Sequence, residues 1–277
     1  MRNPHSGVVL INVLVILALT SAVLLVMIRA SDVSIARVQV YSEAAQGLAL
    51  IAGGEASAIA ALRRDMADAP GTDHLGEAWA TIAQAETAIT SGTFALQITD
   101  AQAQFNLTSV AGSGVVGAQI LGRIARRLRL PEDTVPRILA RLAQAPALHD
   151  LDQLIAEAGL TRETLDSLRA LITVLPERSD INLNTALPEL IFALTDNPVQ
   201  ARVLIGIRDR QGFLAPADVA AAKVILPLGI GYTSGYFRIT TSVRVGATRQ
   251  SLHSLLRRGQ TAQGAPQVTV IARSTDR

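Results

Sequence analysis

The stretch Val8–Ile28, VVLINVLVILALTSAVLLVMI, carries no charge and is bounded by Gly7 and Arg29. A helix rises about 1.5 Å per residue, so this run covers roughly the 30 Å hydrocarbon core of a bilayer. What precedes it is short, MRNPHSG, with Arg2 as its one fixed positive charge. A secretory signal has a longer basic flank, a shorter apolar core and a small-residue cleavage site after that core. Here the small residue, Gly7, comes before the apolar run, so a cut at Gly7 leaves the membrane helix on the mature protein.

That order resembles the leader of type IV pilins and pseudopilins. The resemblance implies cleavage after Gly7 by a prepilin peptidase on the cytoplasmic side, with methylation of the new amino terminus, Val8. In most such subunits the fifth residue after the cut is a Glu that pairs with a neighbour's terminal amine, whereas here it is Asn12. A carboxylate in lipid is expensive without a partner. An amide costs less and still hydrogen-bonds across helices, at roughly 1 kcal/mol. A pilin-like subunit without that Glu suits the end of a filament, where no subunit above it has an amine to pair. An ordinary N-terminal anchor with one tolerated Asn is the plainer alternative.

A chain of 277 residues with 49% hydrophobic content has room for two domains beyond the anchor. The net charge of +2 is too small for a nucleic-acid binder. The cations are nearly all Arg, Lys223 being the one Lys. Arg123, Arg126, Arg127 and Arg129 form the densest basic patch and read as a solvated helix face balanced by the acids that follow. Absence of Cys removes disulfide frameworks and thiolate metal sites. Arg2 on one flank is offset by Arg29 and Asp32 on the other, so the positive-inside rule favours neither orientation and only the prepilin reading sets it.

Beyond Arg29 the apolar pattern narrows to a stripe, Val33, Arg37, Val40, Ala44, Leu48, Ile51, Glu55, Ile59 and Leu62, at spacings of three and four. One helix is therefore expected from Val8 to about Arg64, its first half in lipid and its second packed on a soluble domain. Gly47, Gly53 and Gly54 weaken that second half by roughly 1 kcal/mol each, which argues for close contact with a sheet. Residues 65–92 read as loop with one helical patch. Thr93–Thr99 alternates as a half-buried strand, and Gln104–Val110 reads as a second, joined to it by the polar turn DAQA.

From Val115 to about Leu175 four helical segments follow one another, broken at Pro131, Pro146 and Gly159. INLNTALPELIFAL opens as a strand, and two helices joined through Gly212 and Phe213 come after it. The last part is β: YFRITTSVRV, RQSLHSLLRR and PQVTVIAR, with Phe237, Ile239, Val243 and Val245 on one face. The expected fold is α+β and pilin-like: a long N-terminal transmembrane and amphipathic helix packed on an antiparallel sheet, with an inserted all-α domain. The domains fall at 1–7 (leader), 8–28 (membrane helix), 29–64 (soluble half of that helix), 65–114 (head, first part), 115–180 (helical insertion) and 181–277 (helix-hairpin-helix-like segment and C-terminal strands).

In that order, GVVLINVLVILAL at Gly7–Leu19, DHLGEAWA at Asp73–Ala80, FNLTSV at Phe105–Val110, INLNTA at Ile181–Ala186, Gly212–Phe213 and YFRI at Tyr236–Ile239 resemble the minor pseudopilin K family of type II secretion. The matching pieces run from end to end of the chain. The resemblance implies a subunit at the tip of the pseudopilus, organising its assembly for export of folded proteins across the outer membrane. It implies as partners the minor pseudopilins of the I and J types, the prepilin peptidase, the membrane, and the outer-membrane secretin or exoprotein substrates. It places the protein in the bacterial inner membrane, single-pass, with the head in the periplasm. One departure is that the family's insertion usually carries an acidic tract around a D-W motif, where this chain reads ARLAQAPALHDLDQL.

Calcium also enters through the resemblance, because family members bind it in the head. The chain offers only dispersed carboxylates such as Asp100, Asp180 and Asp196, without an EF-hand-like run, so no ligands are assigned. Enzyme chemistry is not expected. The four His (His5, His74, His149, His253) are isolated from other ligands, and LGIGYTSG at Leu228–Gly235 is a Gly-rich turn before a strand, not a phosphate loop. Trp79 reads as a packing residue. The alternative function is a membrane-anchored helix-hairpin-helix DNA binder. INLNTA, two helices and RDRQGF resemble competence-type receptors, but the corresponding turn, TDNPVQ at Thr195–Gln200, lacks the glycines that present amides to phosphate. No nucleic-acid partner is expected.

Overall fold

The computed structural model describes residues 6–82, 84–110, 115–144, 148–195 and 197–275. Residues 1–5 of the leader, Pro146 and Asp196 lie outside them. One uninterrupted helix, α1 (Ser6–Asp68), holds the whole N-terminal stretch. Pro70 is the first proline after Pro4, so every intervening residue can donate to the helical ladder.

Burial on α1 is concentrated in its last third. Ile51, Gly54, Glu55, Ala58, Ala61, Leu62 and Asp65 form the buried face. The upper part of the expected stripe is not packed: Val33, Arg37 and Val40 are exposed because the sheet reaches only as far as Glu43, and Leu48 is exposed although the sheet extends beyond it. The glycines divide the same way. A Cβ on Gly54 would sit 3.0 Å from Phe94 and 3.1 Å from Thr241, whereas Gly53 faces open space.

After α1 the chain makes a short helix, α2 (Ala78–Thr81), and then β1 (Gln84–Ile89) and β2 (Gly92–Asp100). β1 lies in the segment read as loop. Its sequence, QAETAI, lacks the apolar alternation that would have marked it. At the far end of the chain come β7 (Tyr236–Val245), β8 (Thr248–Gln260) and β9 (Pro266–Ser274). The sheet order is β1-β2-β7-β8-β9, all pairs antiparallel. Phe237, Ile239, Val243 and Val245 are buried, with Leu96, Ile98, Leu256 and Val268, beneath Ile51, Ala58 and Leu62 of α1.

β2 and β7 are neighbours from Gly92↔Val245 to Asp100↔Phe237. The chain thus leaves the sheet at Asp100 and returns at Tyr236 on the adjacent strand, and everything between is an insertion at one end of the head. Its helices are α3 (Val115–Arg127), α4 (Thr134–Gln144), α5 (Gln153–Glu157), α6 (Arg162–Arg169), α7 (Pro188–Leu194), α8 (Pro198–Gln211) and α9 (Pro216–Ala221). A single apolar core runs from Phe105 to Val224, so the helical unit continues past residue 180 and takes in α7–α9. Within INLNTALPELIFAL only two residues are strand, and helix begins at Pro188, whose fixed φ suits the first helical position.

The expected strand Gln104–Val110 shrinks to β3 (Phe105–Asn106), flanked by single 3₁₀ turns at Ala101–Ala103 and Leu107–Ser109. β3 pairs in parallel with β4 (Ile172–Thr173), and β5 (Ile181–Asn182) pairs in parallel with β6 (Ile230–Gly231). FNLTSV and INLNTA hold equivalent places, each opening one half of the helical unit. In both the Asn side-chain oxygen accepts the amide two residues on, at 3.1 Å for Asn106 and 3.0 Å for Asn182. Buried backbone at such short parallel contacts needs side-chain partners, and the Asn amides supply them.

Candidate assembly helix and the polar seam behind it

Every large apolar side chain of α1 from Val9 to Ile28 is at least half exposed. This segment is long and apolar enough to cross a membrane. Gly7 and Val8 fall in its first turns, and Asn12 is exposed on it among Leu10, Ile11, Val13 and Leu14. Exposure does not end with the uncharged run: Val33, Ile35, Val38, Val40, Tyr41 and Leu48 are between 53% and 69% accessible. An apolar surface of this extent in one chain marks a region covered by lipid or by other protein.

Three carboxylates tie α1 to the sheet. Glu43, the uppermost, accepts from Ala247 N and Thr248 Oγ1 at 3.1 Å each, gripping the β7–β8 turn. Gly246 in that turn has φ +57°, and a Cβ there would lie 2.3 Å from Glu43 Oε1. Glu55 accepts from Ser254 Oγ at 2.5 Å and from Arg273 Nη2 at 2.6 Å, and the Arg273 hydrogen bond lowers its pKa. Asp65 accepts from Arg258 Nη1 at 2.8 Å.

Arg258 is the centre of a buried cluster. Its other terminal nitrogen pairs with both oxygens of Asp73 and donates to Ser234 O at 2.9 Å, and its guanidinium lies 4.7 Å over the Phe237 ring. Glu77 completes the group: ligand oxygens of Asp65, Asp73 and Glu77 lie within 4.8 Å of one another. Glu77 Oε2 accepts from the indole of fully buried Trp79 at 2.6 Å, while Oε1 is buried with no hydrogen-bond partner. Three carboxylates face one guanidinium, with the His74 ring nitrogen 3.5 Å from Glu77 Oε1, and with that imidazole neutral they leave negative charge in excess. Burial first, then the Glu77 charge, push the Asp65 pKa up to about 6 against the pull of Arg258, and burial raises Glu77 as well.

A polar seam continues from this cluster to the helical unit. Asn182 Nδ2 lies 3.0 Å from Asp73 O, 2.9 Å from Asp100 Oδ2 and 3.0 Å from Ser234 Oγ. Asp100 Oδ2 also accepts from Thr185 Oγ1 at 2.5 Å and Ser234 Oγ at 2.6 Å, and its deep burial raises its pKa. Asn184 brackets Leu214 through both backbone groups, and Arg208 donates to Leu183 O and Ala186 O. The INLNTA segment is thus a connector: Asn182 and Thr185 bond the head at Asp100, Asn182 also reaches Ser234 of the 228–235 loop, and Asn184 holds Leu214 between α8 and α9. Trp79 packs edge-on against Phe237, as a core residue.

The carboxylates singled out from the sequence for calcium do not converge. Asp100 is consumed by the seam, Asp180 is exposed, and Asp196 lies outside the described residues. The structure instead gathers Asp65, Asp73 and Glu77, widely spaced in sequence, and Arg258 takes the cation's place among them. A guanidinium bonded to two of three carboxylates does not leave the six to eight oxygens that calcium requires, so this group does not fit that ion.

Residues 181–231, which include the connector and α7–α9, match the family model "Type II secretion system (T2SS), protein K". The type II secretion system protein K of Pseudomonas aeruginosa is 27% identical, over 94% of this chain and 91% of its own length. Over nearly its whole length the chain is thus similar to type II secretion protein K. The Klebsiella pneumoniae protein K is 26% identical over 93% of this chain and 94% of its own. In the crystal structure of the GspK-GspI-GspJ complex from enterotoxigenic Escherichia coli, one chain superposes with a TM-score of 0.67 at 22% identity, covering 87% of this chain and 99% of that one. The seam joins the matched segment to the head of the same pilin-like fold.

Proposed function

We propose that this chain is a minor pseudopilin that works at the tip of the type II secretion pseudopilus, where it organises assembly for export of folded proteins. The observation that carries this reading is α1: a membrane-length apolar segment continuous with an exposed apolar surface down to Leu48, on a helix whose last third is pinned to the head. Such a helix stores unsatisfied apolar area for neighbours of the same kind. By analogy with the complex named above, those neighbours are the I-type and J-type minor pseudopilins. The head then lies in the periplasm and the anchor in the inner membrane. Prepilin peptidase cuts after Gly7, Val8 becomes the methylated terminus, and Asn12 hydrogen-bonds within the bilayer where other pilins use an ion pair.

The test is intact-mass and N-terminal analysis of membrane-extracted protein made with and without a prepilin peptidase, joined to a secretion assay. The expected product lacks residues 1–7 and carries one methyl on Val8. In the assay Asn12→Leu secretes a reporter nearly as well as wild type, whereas Ser21→Pro, which breaks the helix inside the membrane, abolishes secretion. Retention of Met1–Gly7 with the peptidase present, or full secretion by Ser21→Pro, sinks the reading.

A further inference from the structure

On the sheet face opposite α1, between β7–β8 and the helical unit, lies a half-open cavity of about 350 Å³ lined in part by Gln104, His149, Arg169, Arg238, Leu255 and Ser274. Arg238 alternates with Phe237 and Ile239, which bury toward α1, so its side chain leaves the sheet on this side. Its guanidinium donates to two neutral oxygens, Gln104 Oε1 at 3.0 Å and Thr173 Oγ1. A guanidinium has five N–H groups, and among the described residues no carboxylate lies within ion-pair distance of this one. The other arginine of the wall is already neutralised: Arg169 pairs with Asp152 and Asp166. Burial depresses the Arg238 pKa, and the charges of Asp100 and Asp150 act on it only through space. A half-buried guanidinium whose hydrogen bonds go to neutral groups at the wall of a cavity keeps N–H donors for an anion.

The geometry points to Arg238 as the anchor of a binding site for a single carboxylate group, seated in this cavity. A planar fork of donors matches a carboxylate bidentately. Asp150 on the same wall repels any anion in proportion to its charge, so the preference for a carboxylate over phosphate rests on the match to the planar fork. The volume suits a Glu-sized side chain or a small free acid. Gln104 fixes the fork by accepting from Arg238 while its Nε2 donates to Arg169 O at 2.5 Å, so the site is held from both the sheet and the helical unit. This inference stands apart from the assembly reading and does not use α1.

The test uses the full chain in detergent micelles, with thermal unfolding followed by far-UV circular dichroism at constant ionic strength. The probes are propionate, an end-blocked peptide carrying one Glu, and phosphate. Both carboxylates are expected to raise the midpoint in a saturable way, with phosphate at least tenfold weaker. A tenfold lower half-saturating concentration for the peptide than for propionate assigns the site to a protein side chain, and equal values assign it to a free acid. Arg238→Gln removes the charge and is expected to abolish the shift. Ser274→Trp at the exposed rim blocks the cavity without touching Arg238, and it is expected to abolish the shift even if the first variant folds poorly. The inference is overturned by a wild-type shift no larger for carboxylate than for phosphate, or by a shift that persists in Ser274→Trp.

Discussion

Asp65→Asn should make this protein more stable at pH 7.5, by a margin that shrinks as the pH falls to 5. Asp65 is 5% exposed at its side chain and faces Asp73 and Glu77 with only Arg258 to compensate, so its pKa rises from 3.8 to about 6. The folded state therefore keeps a proton that the unfolded state has lost between those two values. The stability this proton confers is complete below the unfolded pKa of 3.8 and is lost as pH rises through about 6. A shift of this size corresponds to about 3 kcal/mol at most, and solvent screening reduces the working figure to about 1–2 kcal/mol. Asn cannot ionise, so it escapes that loss at pH 7.5, and its side-chain oxygen can still accept from Arg258.

Trp79 provides the assay. It is the one Trp of the chain, fully buried, edge-on to Phe237 and bonded to Glu77, so its emission reports on this cluster. Urea unfolding of the full chain in micelles at pH 5.0, 6.0 and 7.5 should show the variant's advantage growing with pH, by about 0.5–1 kcal/mol across the range, because the rest of the shift is already spent below pH 5. Glu55, which shifts in the opposite direction and lies apart from the cluster, is common to the two proteins and cancels in the difference, whereas Glu77 is coupled to Asp65, so the difference reports the pair. If Asp65→Asn is destabilising by the same amount at pH 5.0 and 7.5, Asp65 is an ordinary ion-pair partner of Arg258 and the charge-excess argument fails.

Two further perturbations separate close contact from mere proximity. Asn182→Ala leaves Asp100, Ser234 and the Asp73 carbonyl short of a donor and should cost about 3 kcal/mol in urea unfolding. Asn182→Asp, nearly isosteric, should cost more because it sets a carboxylate against Asp100, and a smaller loss than for Ala would show that the donor is dispensable. Gly53→Ala, facing open space on α1, should stabilise by up to about 1 kcal/mol, whereas Gly54→Ala, pressed on Phe94 and Thr241, should gain nothing or lose about 1 kcal/mol; equal gains in thermal unfolding would place the sheet farther from the helix.

The features legible in the sequence were those written in continuous local pattern. Val8–Ile28 announces a spanning helix by composition alone, and Phe237, Ile239, Val243 and Val245 announce a strand by alternation, since each signal repeats within a few residues. β1 gave no such signal, because QAETAI is an edge strand whose pairing with β2 supplies what its side chains do not. The stripe on α1 was misleading above Leu48 for a related reason: periodicity shows that a face is apolar, not which surface covers it. The carboxylate cluster was hidden more deeply. Asp65, Asp73 and Glu77 belong to a helix end and a loop, Arg258 to a strand nearly two hundred residues later, and only the return of the chain from Asp100 to Tyr236 brings them together.

That return also explains why the most informative motif concerned a junction and not chemistry. An insertion that leaves and re-enters a sheet on adjacent strands touches the head only near those two points, so its orientation rests on few contacts. Here a small apolar cluster of Ala101, Leu175, Tyr236 and Leu255 is joined by contacts that are buried and polar. Asn182, Thr185 and Ser234 converge on Asp100, and Gln102 reaches Asp180 O and takes the Gly235 amide. Apolar contacts at such a neck would tolerate sliding, whereas hydrogen bonds of fixed direction admit one arrangement and penalise all others by leaving buried groups unpaired. INLNTA thus resembles a binding motif in sequence because it spends its polar side chains at close quarters, and it spends them on the protein itself.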